Sequence, residues 1–376
     1  MKPIIYLLLV VFGVFFLVAW MLSALTKDEA FVRLEEGWRG YKNIFVQPDG
    51  KVYRIEEEDV TSEGQANAML RAVIMDDQET FGRILTWTQN NLSRKDREGD
   101  YLLSWYYKNG AVQDSMPAAD ADIEYALALL LASRKWDDGT YAETALLVLK
   151  DILDRLTVVF RGRRYLLPWI IQDPADQERI PQNLSYYSPS FFKFFYEYDR
   201  DPRWLELVDT TYDLLLQAQK EFDGMQGCGV VPDWSKVDHQ GKLHAYEGKS
   251  SNFSWEAVRV PMRVGIDAFL FRDPRAIEVL SGFVKFAETQ LNETGKLVSK
   301  YSYDCKPLST PESPLMFSSI YIAMELTNSP QASSVWERLS QWFHRSRKGG
   351  YYEDPRKYYT NSLVWVADFL YMEKAQ

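Results

Sequence analysis

The chain has 376 residues, 46% of them hydrophobic and 15% aromatic, with a formal charge of −10. That size and apolar content suit one large domain or two modest ones. The charge excludes the basic footprint of a nucleic-acid binder and favours neutral or cationic partners over polyanions.

From Ile4 to Leu25 the chain is apolar apart from Gly13 and Ser23. A secretory signal has an apolar stretch of about 7–15 residues and a membrane span needs about 20. The length predicts an uncleaved single-pass anchor over residues 1–27, with residues 28–376 as one domain outside the cytoplasm. A cleaved, secreted form is the alternative.

Helical periodicity then dominates. It predicts twelve helices, over 31–45, 63–75, 77–92, 120–133, 140–158, 188–199, 203–221, 254–271, 275–291, 313–326, 331–345 and 361–373. Only short pieces such as Lys51–Ile55 and Arg164–Leu167 alternate like strands. Twelve helices without a dividing linker predict an all-α toroid of six hairpins, (α/α)6, with an inner and an outer ring. No sequence period recurs to support a repeat array. The connections 93–119, 159–187, 222–253 and 292–312 are long for such a domain and rich in aromatic residues, including Trp105, Trp169, Tyr186, Tyr187, Trp234 and Tyr246. Loops of that length and composition predict the walls of a groove.

Two cysteines, Cys228 and Cys305, either pair or remain buried free thiols. The three histidines have no zinc-site spacing, so no catalytic metal and no cofactor are expected.

Three stretches carry candidate chemistry. Ser62-Glu63-Gly64-Gln65 has the form of a capping box, with Ser62 at the N-cap and Gln65 at N3. Glu63 is then either helix-start decoration or a proton donor. Gly64 is odd in a first turn unless something approaches the backbone closely. In Ala118-Ala119-Asp120-Ala121-Asp122, Asp120 suits an N-cap, and the pair suits sugar hydroxyls or a metal. In Ser254-Trp255-Glu256-Ala257-Val258-Arg259, Glu256 and Arg259 are three apart on the predicted helix and therefore neighbours.

In order and spacing these stretches resemble glycoside hydrolase family eight, the inverting endoglucanase, chitosanase and xylanase family that includes the cellulases of bacterial cellulose operons. Further matches are Trp38-x-x-Tyr41-Lys42, Gly50-Lys51-Val52-x-Arg54, Val231-Pro232-Asp233-Trp234, Glu256-Ala257-Val258-Arg259-Val260-Pro261 and Tyr358-Tyr359-x-Asn361-Ser362-Leu363. The resemblance implies the six-hairpin toroid, Glu63 as general acid and Asp120 as the aspartate that binds and distorts the sugar. Glu256 stands where many members place an aspartate as general base. Ala119 and Tyr125 also depart from the pattern, replacing a serine or threonine and an aliphatic residue.

The implied reaction is endo-acting inversion of β-glycosidic bonds in a cell-surface or secreted exopolysaccharide by a monomer. Arg259 would keep Glu256 ionised, and an ionised Asp120 would raise the pKa of Glu63. Trp105, Asp122, Tyr187, Trp234, Trp255 and Tyr359 are the further candidate sugar contacts. The competing readings are a membrane-anchored polysaccharide-binding protein that has lost catalysis, and a terpenoid-cyclase-like toroid. The second would need a richer aspartate motif than Asp120-Ala121-Asp122.

Overall fold

The structure is a computed structural model that describes residues 29–374. The expected anchor therefore lies outside the described residues. No helix among the described residues is long and apolar enough to cross a membrane.

The helices are α1 (29–45), α2 (Ser62–Ile74), α3 (Gln78–Leu92), the one-turn α4 (Lys95–Glu98), α5 (Ala119–Trp136), α6 (Gly139–Arg155), α7 (Pro189–Asp199), α8 (Arg203–Lys220), α9 (Val260–Phe271), α10 (Pro274–Thr294), α11 (Pro314–Leu326), α12 (Ala332–Ser340), α13 (Tyr358–Leu363) and α14 (Trp365–Lys374). Helices α2, α5, α7, α9, α11 and α13–α14 contact one another in that order and close back on α2. Each of α3, α6, α8, α10 and α12 packs outside the inner helix that precedes it. The result is the predicted pair of rings.

Position in the ring explains composition. The inner α5 is buried from Ala119 to Leu130 and α11 from Pro314 to Met324, as expected of helices enclosed on every side. The outer α3 and α8 bury one stripe and expose the other. Local chemistry starts the helices where they are needed. Asp77 accepts from the Thr80 N–H at the head of α3, and Pro189, Pro261 and Pro314 lie in the first turns of α7, α9 and α11.

The ring is locked where the chain ends meet. The Arg33 guanidinium on α1 lies 3.3 Å from the Asp368 carboxylate on α14 and donates to the Ser340 hydroxyl at 2.9 Å. Burial pushes the Asp368 carboxyl up to about 6. Arg71 on α2 donates to the Asn361 carbonyl and lies over the rings of Trp38, Tyr41 and Trp365, joining α1, α2 and the last inner helix.

The long connections are built, not loose. Val60–Thr61, Tyr106–Lys108 and Ala111–Asp114 form one antiparallel sheet. Arg179–Gln182, Ser235–Asp238 and Leu243–His244 form another. Hairpins cover 157–166, 221–226 and 343–352. The helix expected over 331–345 therefore ends at Ser340, and Phe343–Ser346 is a strand. Its partner strand presses on α1 so closely that a β-carbon on Gly40 would meet the Gly350 carbonyl oxygen at 2.0 Å. Of the two expected strands, Arg163–Leu166 forms, whereas 51–55 makes only isolated bridges at Val52 and Arg54. Cys228 and Cys305 form a disulfide, tying the 222–253 connection to 292–312.

Candidate active site

Inner helices deliver their first turns to one end of the ring, and the candidate residues gather there. The N-cap of α2 is Thr61, whose hydroxyl accepts from the Gly64 N–H at 3.3 Å, so the capping box expected from Ser62 and Gln65 does not form. Gln65 is instead fully buried, accepting from the Val52 N–H at 2.6 Å and donating to Thr88 at 2.8 Å. A buried amide with those partners holds the 50–54 loop against α2 and has nothing left for a cap.

Freed of its capping role, the start of α2 serves Glu63. A β-carbon at Gly64 would sit 2.8 Å from the Tyr358 hydroxyl, which supplies the close approach that the glycine implied. Burial, and after it the Asp120 carboxylate, push the Glu63 carboxyl up to about 7, against the pull of Arg54 and Arg259. Near neutral pH Glu63 therefore keeps its proton part of the time, in spite of lying at a helix N-terminus.

Asp120 is not an N-cap. That position is Ala118, and Asp120 lies in the first turn of α5, 2% exposed. Its carboxylate accepts from Arg259 Nη1 at 2.7 Å. The other arm of Arg259, Nη2, donates to the Ser185 hydroxyl at 2.9 Å and to Glu256 Oε2. One buried guanidinium thus joins Asp120 to Glu256 across the groove floor. Below it, Arg263 on α9 donates to Glu124 at 2.8 Å and to Ser188, and Glu124 accepts from Asn67 at 2.5 Å. This second polar layer ties α2, α5, α7 and α9 together under the first.

The helix expected over 254–271 begins later, because Ala257–Arg259 form a 3₁₀ turn ahead of α9 and Glu256 is its N-cap. Glu256 is held instead by the preceding loop. Asp233 Oδ1 accepts the backbone N–H groups of Ser254, Glu256 and Ala257 at 3.1, 3.0 and 3.0 Å. Its other oxygen accepts from the hydroxyls of Ser250 and Ser254. Asn183 donates to Glu256 Oε2 at 2.9 Å.

Aromatic rings flank this centre. Trp255 is 53% exposed and meets Tyr359 edge-on at 6.2 Å, and the Tyr359 hydroxyl donates to the Trp255 carbonyl at 2.5 Å. The carbonyl of Trp105, whose ring stacks on Tyr106, accepts from the Ser62 N–H at the start of α2. On the other side Trp234 packs against Trp169, Tyr186 and Tyr246, with centroids 5.7, 5.9 and 6.4 Å away.

Two expected contacts are elsewhere. Asp122 is fully buried, accepts from the Leu103 N–H at 2.8 Å and anchors the 93–119 loop; burial raises its carboxyl well above the usual range. An alternation of two residues along a helix turns the second side chain away from the first by about 200°, so Asp120 and Asp122 could not share the groove. Tyr187 is buried, with its hydroxyl bound to Gln182 at 2.5 Å and to the Leu166 backbone N–H at 2.9 Å. Its neighbour Tyr186 takes the expected place. That ring lies 5.3 Å from the Arg259 guanidinium, and burial, then the charges of Asp120 and Glu256, push its phenol well above the ordinary value. Sequence reasoning also missed Asn183 and gave Asp233 no role. The Val231-Pro232-Asp233-Trp234 match was the available signal for Asp233, and nothing marked Asn183.

The assembled centre holds a carboxyl whose pKa is raised to about 7, a carboxyl bound by a guanidinium and an amide, and a third joined to the same guanidinium. It suits proton transfer to and from a polymer lying along an aromatic groove. The chain matches the model described as "Glycosyl hydrolases family 8" over residues 12–302. It is 30% identical to an endoglucanase of Escherichia coli K12 over 261 residues, 66% of this chain and 67% of that protein. The fold is similar to that of a β-1,3-1,4-glucanase from Paenibacillus sp. X4, with a TM-score of 0.76, 17% identity and 92% of each chain covered. It is likewise similar to that of the endo-β-1,4-glucanase CMCax from Acetobacter xylinum, with a TM-score of 0.73, 21% identity, and 92% of this chain and 99% of that one covered. With the match spanning Glu63, Asp120 and Glu256, the chain belongs to glycosyl hydrolase family 8.

Proposed function

We propose that the protein cleaves internal β-glycosidic bonds of a polysaccharide with inversion, using Glu63 as general acid and Glu256 as general base. The observation that carries this reading is the contrast between the two carboxyls. Glu63 is raised to about 7 by burial and Asp120, so up to neutral pH a substantial share of molecules has a proton to give to the leaving glycosidic oxygen. Glu256 accepts from the Arg259 guanidinium and from the Asn183 amide N–H, whose carbonyl oxygen is turned to Ser185. Its carboxylate is thus set up to take a proton from water. Asp120, locked to Arg259, contacts the sugar at the cleavage point, and the Tyr186 phenol stands beside both carboxylates as a hydrogen-bond donor to that water. An inverting enzyme keeps its two carboxyl groups about 6.5–9.5 Å apart so that water fits behind the sugar.

Trp255 and Tyr359 on one side, Trp105 at the acid, and Trp234 on the other side provide rings on which successive sugars stack. The open run of platforms supports attack within a chain. Two features support export: the apolar run Ile4–Leu25, and a disulfide, a bond that persists in oxidising surroundings. They favour an exopolysaccharide at the cell surface as substrate, cut by an anchored monomer.

The test is reducing-end release from soluble β-1,4-glucan, mixed-linkage β-glucan, xylan and chitosan, followed by proton NMR of the new anomeric centre. The expected result is cleavage of at least one polymer with the α-anomer formed first. Binding without cleavage of any of them would show a polysaccharide-binding protein, and a β-anomer formed first would overturn inversion.

A further inference from the structure

The Trp234 platform carries a charge that a simple stacking surface would lack. The Lys249 ammonium lies 4.8 Å from the Trp234 ring centroid and 5.9 Å from that of Trp169. Its backbone N–H is held by the Tyr246 carbonyl at 3.0 Å, which keeps the lysine beside the platform. Lys249 is exposed and, among the described residues, has no carboxylate partner. The other lysine of this patch, Lys236, differs: it lies over Tyr246 and is neutralised by Glu247 at 3.0 Å. One of the two cations is therefore spent and the other available.

We propose that Lys249 makes the Trp169–Trp234 platform a subsite for a sugar unit bearing an anionic substituent. The inference rests on the proposed glycosidase reading and names the substrate class of that groove. A sugar ring that stacks on Trp234 must displace the ammonium from the indole face and forfeit the cation–π attraction. A neutral sugar offers nothing in return. An anionic substituent pairs with the displaced ammonium, so the same movement that opens the platform recognises the charge. Lysine suits this task because it is a flexible point charge that follows a carboxylate or a phosphate without demanding a planar fork.

The test uses the full protein on three celluloses of matched length: hydroxyethyl, carboxymethyl and phosphorylated. The reading is the ratio of kcat/KM on each anionic polymer to that on the neutral one, which cancels any general loss. Lys249→Ala should lower the carboxymethyl ratio about threefold, the scale of one exposed ion pair, and Lys249→Glu about tenfold. Both effects should reside in KM and should shrink in ~1 M salt, where the screening length is about 3 Å. A parallel fall in the phosphoryl ratio marks a reader of charge, and a fall with one polymer alone identifies the preferred anion. Ratios unchanged by both substitutions overturn the proposal. If wild type cleaves none of the three, the glycosidase reading fails on these backbones. Gel retardation by the same polymers then decides the subsite: stronger retardation by an anionic polymer that is lost in Lys249→Glu supports it, and equal retardation of wild type and variant overturns it.

Discussion

Glu63 and Glu256 face one groove from two kinds of support. Glu63 rides on a regular helix whose first turn is shaped by a glycine against Tyr358. Glu256 precedes its helix and is held by a loop that Asp233 gathers through three backbone N–H groups. The helix gives burial, which keeps a proton on a carboxyl. Both carboxyls are part-exposed, and what the loop adds at Glu256 is a pair of hydrogen-bond donors, Arg259 and Asn183, on one carboxylate oxygen. In the proposed mechanism, two identical side chains take opposite tasks from their surroundings.

Removing either carboxyl should break the contrast most severely. Glu63→Gln preserves size but not the proton, and kcat should fall about 10²–10⁴-fold with polymer binding kept. Glu256→Ala should cost as much, with partial recovery in azide, which replaces the activated water. Recovery by azide in the Glu63 variant instead would exchange the two assignments. Glu256→Asp restores the residue common among relatives but shortens the reach in a groove built for glutamate, and misplacement of water by about 1 Å costs on the order of 10²-fold. Full activity of that variant would show that reach is not what fixes the base.

The supports themselves come next. Asp233→Asn exchanges an acceptor of five hydrogen bonds for an amide with one carbonyl oxygen, and should lower kcat about tenfold with a smaller change in KM. Gly64→Ala pushes a methyl group toward the Tyr358 hydroxyl and should cost several-fold in kcat. Combining it with Tyr358→Phe removes the contact atom and should return most of the loss. If the double variant is no better, the glycine serves something other than that approach.

The smallest expected effect is on stability, and its sign follows from Glu63. Its folded carboxyl titrates near 7, above the ordinary 4.5. Between those values the unfolded chain has released the proton while the folded protein keeps it, so the group lowers stability as pH rises through this window and adds nothing further above it. Glu63→Gln removes that penalty and should stabilise the protein at pH 8 by on the order of 2 kcal/mol, with little change at pH 4, as read by denaturant melts. In wild type the same titration predicts an alkaline fall in kcat/KM around pH 7.

The rings were legible because periodicity over ten or more residues survives local noise, and the motifs picked out Glu63, Asp120, Arg259 and Glu256, which the fold does bring to one place. The groove walls were less so. Strands of two to four residues leave too short a pattern, and some, such as Val60–Thr61 with its partner Tyr106–Tyr107, pair far along the chain. Tyr186 and Tyr187 are adjacent and chemically alike, and only the 3₁₀ turn Leu184–Tyr186 decides which enters the groove. Asn183 makes its contact across 73 residues of sequence. Net charge is silent on local detail: the total of −10 does not show that an ammonium unpaired among the described residues lies over the Trp234 ring.

The clasp between Arg33 and Asp368 has a consequence for how the molecule is made. It joins the first outer helix to the last inner one, and the Arg33–Ser340 bond alone spans 307 positions. During synthesis α1 emerges early and meets α2 at once, but its partners on α12 and α14, Ser340 and Asp368, come much later. Until then α2 and α11 face an empty position, and their apolar flanks are bare. The growing chain is thus an open arc until α13–α14 join α11 to α2. Its period of greatest vulnerability to aggregation runs from the appearance of α11 to the docking of α13–α14, so slowing translation over that interval should lower the yield of active protein more than slowing it over α1–α3.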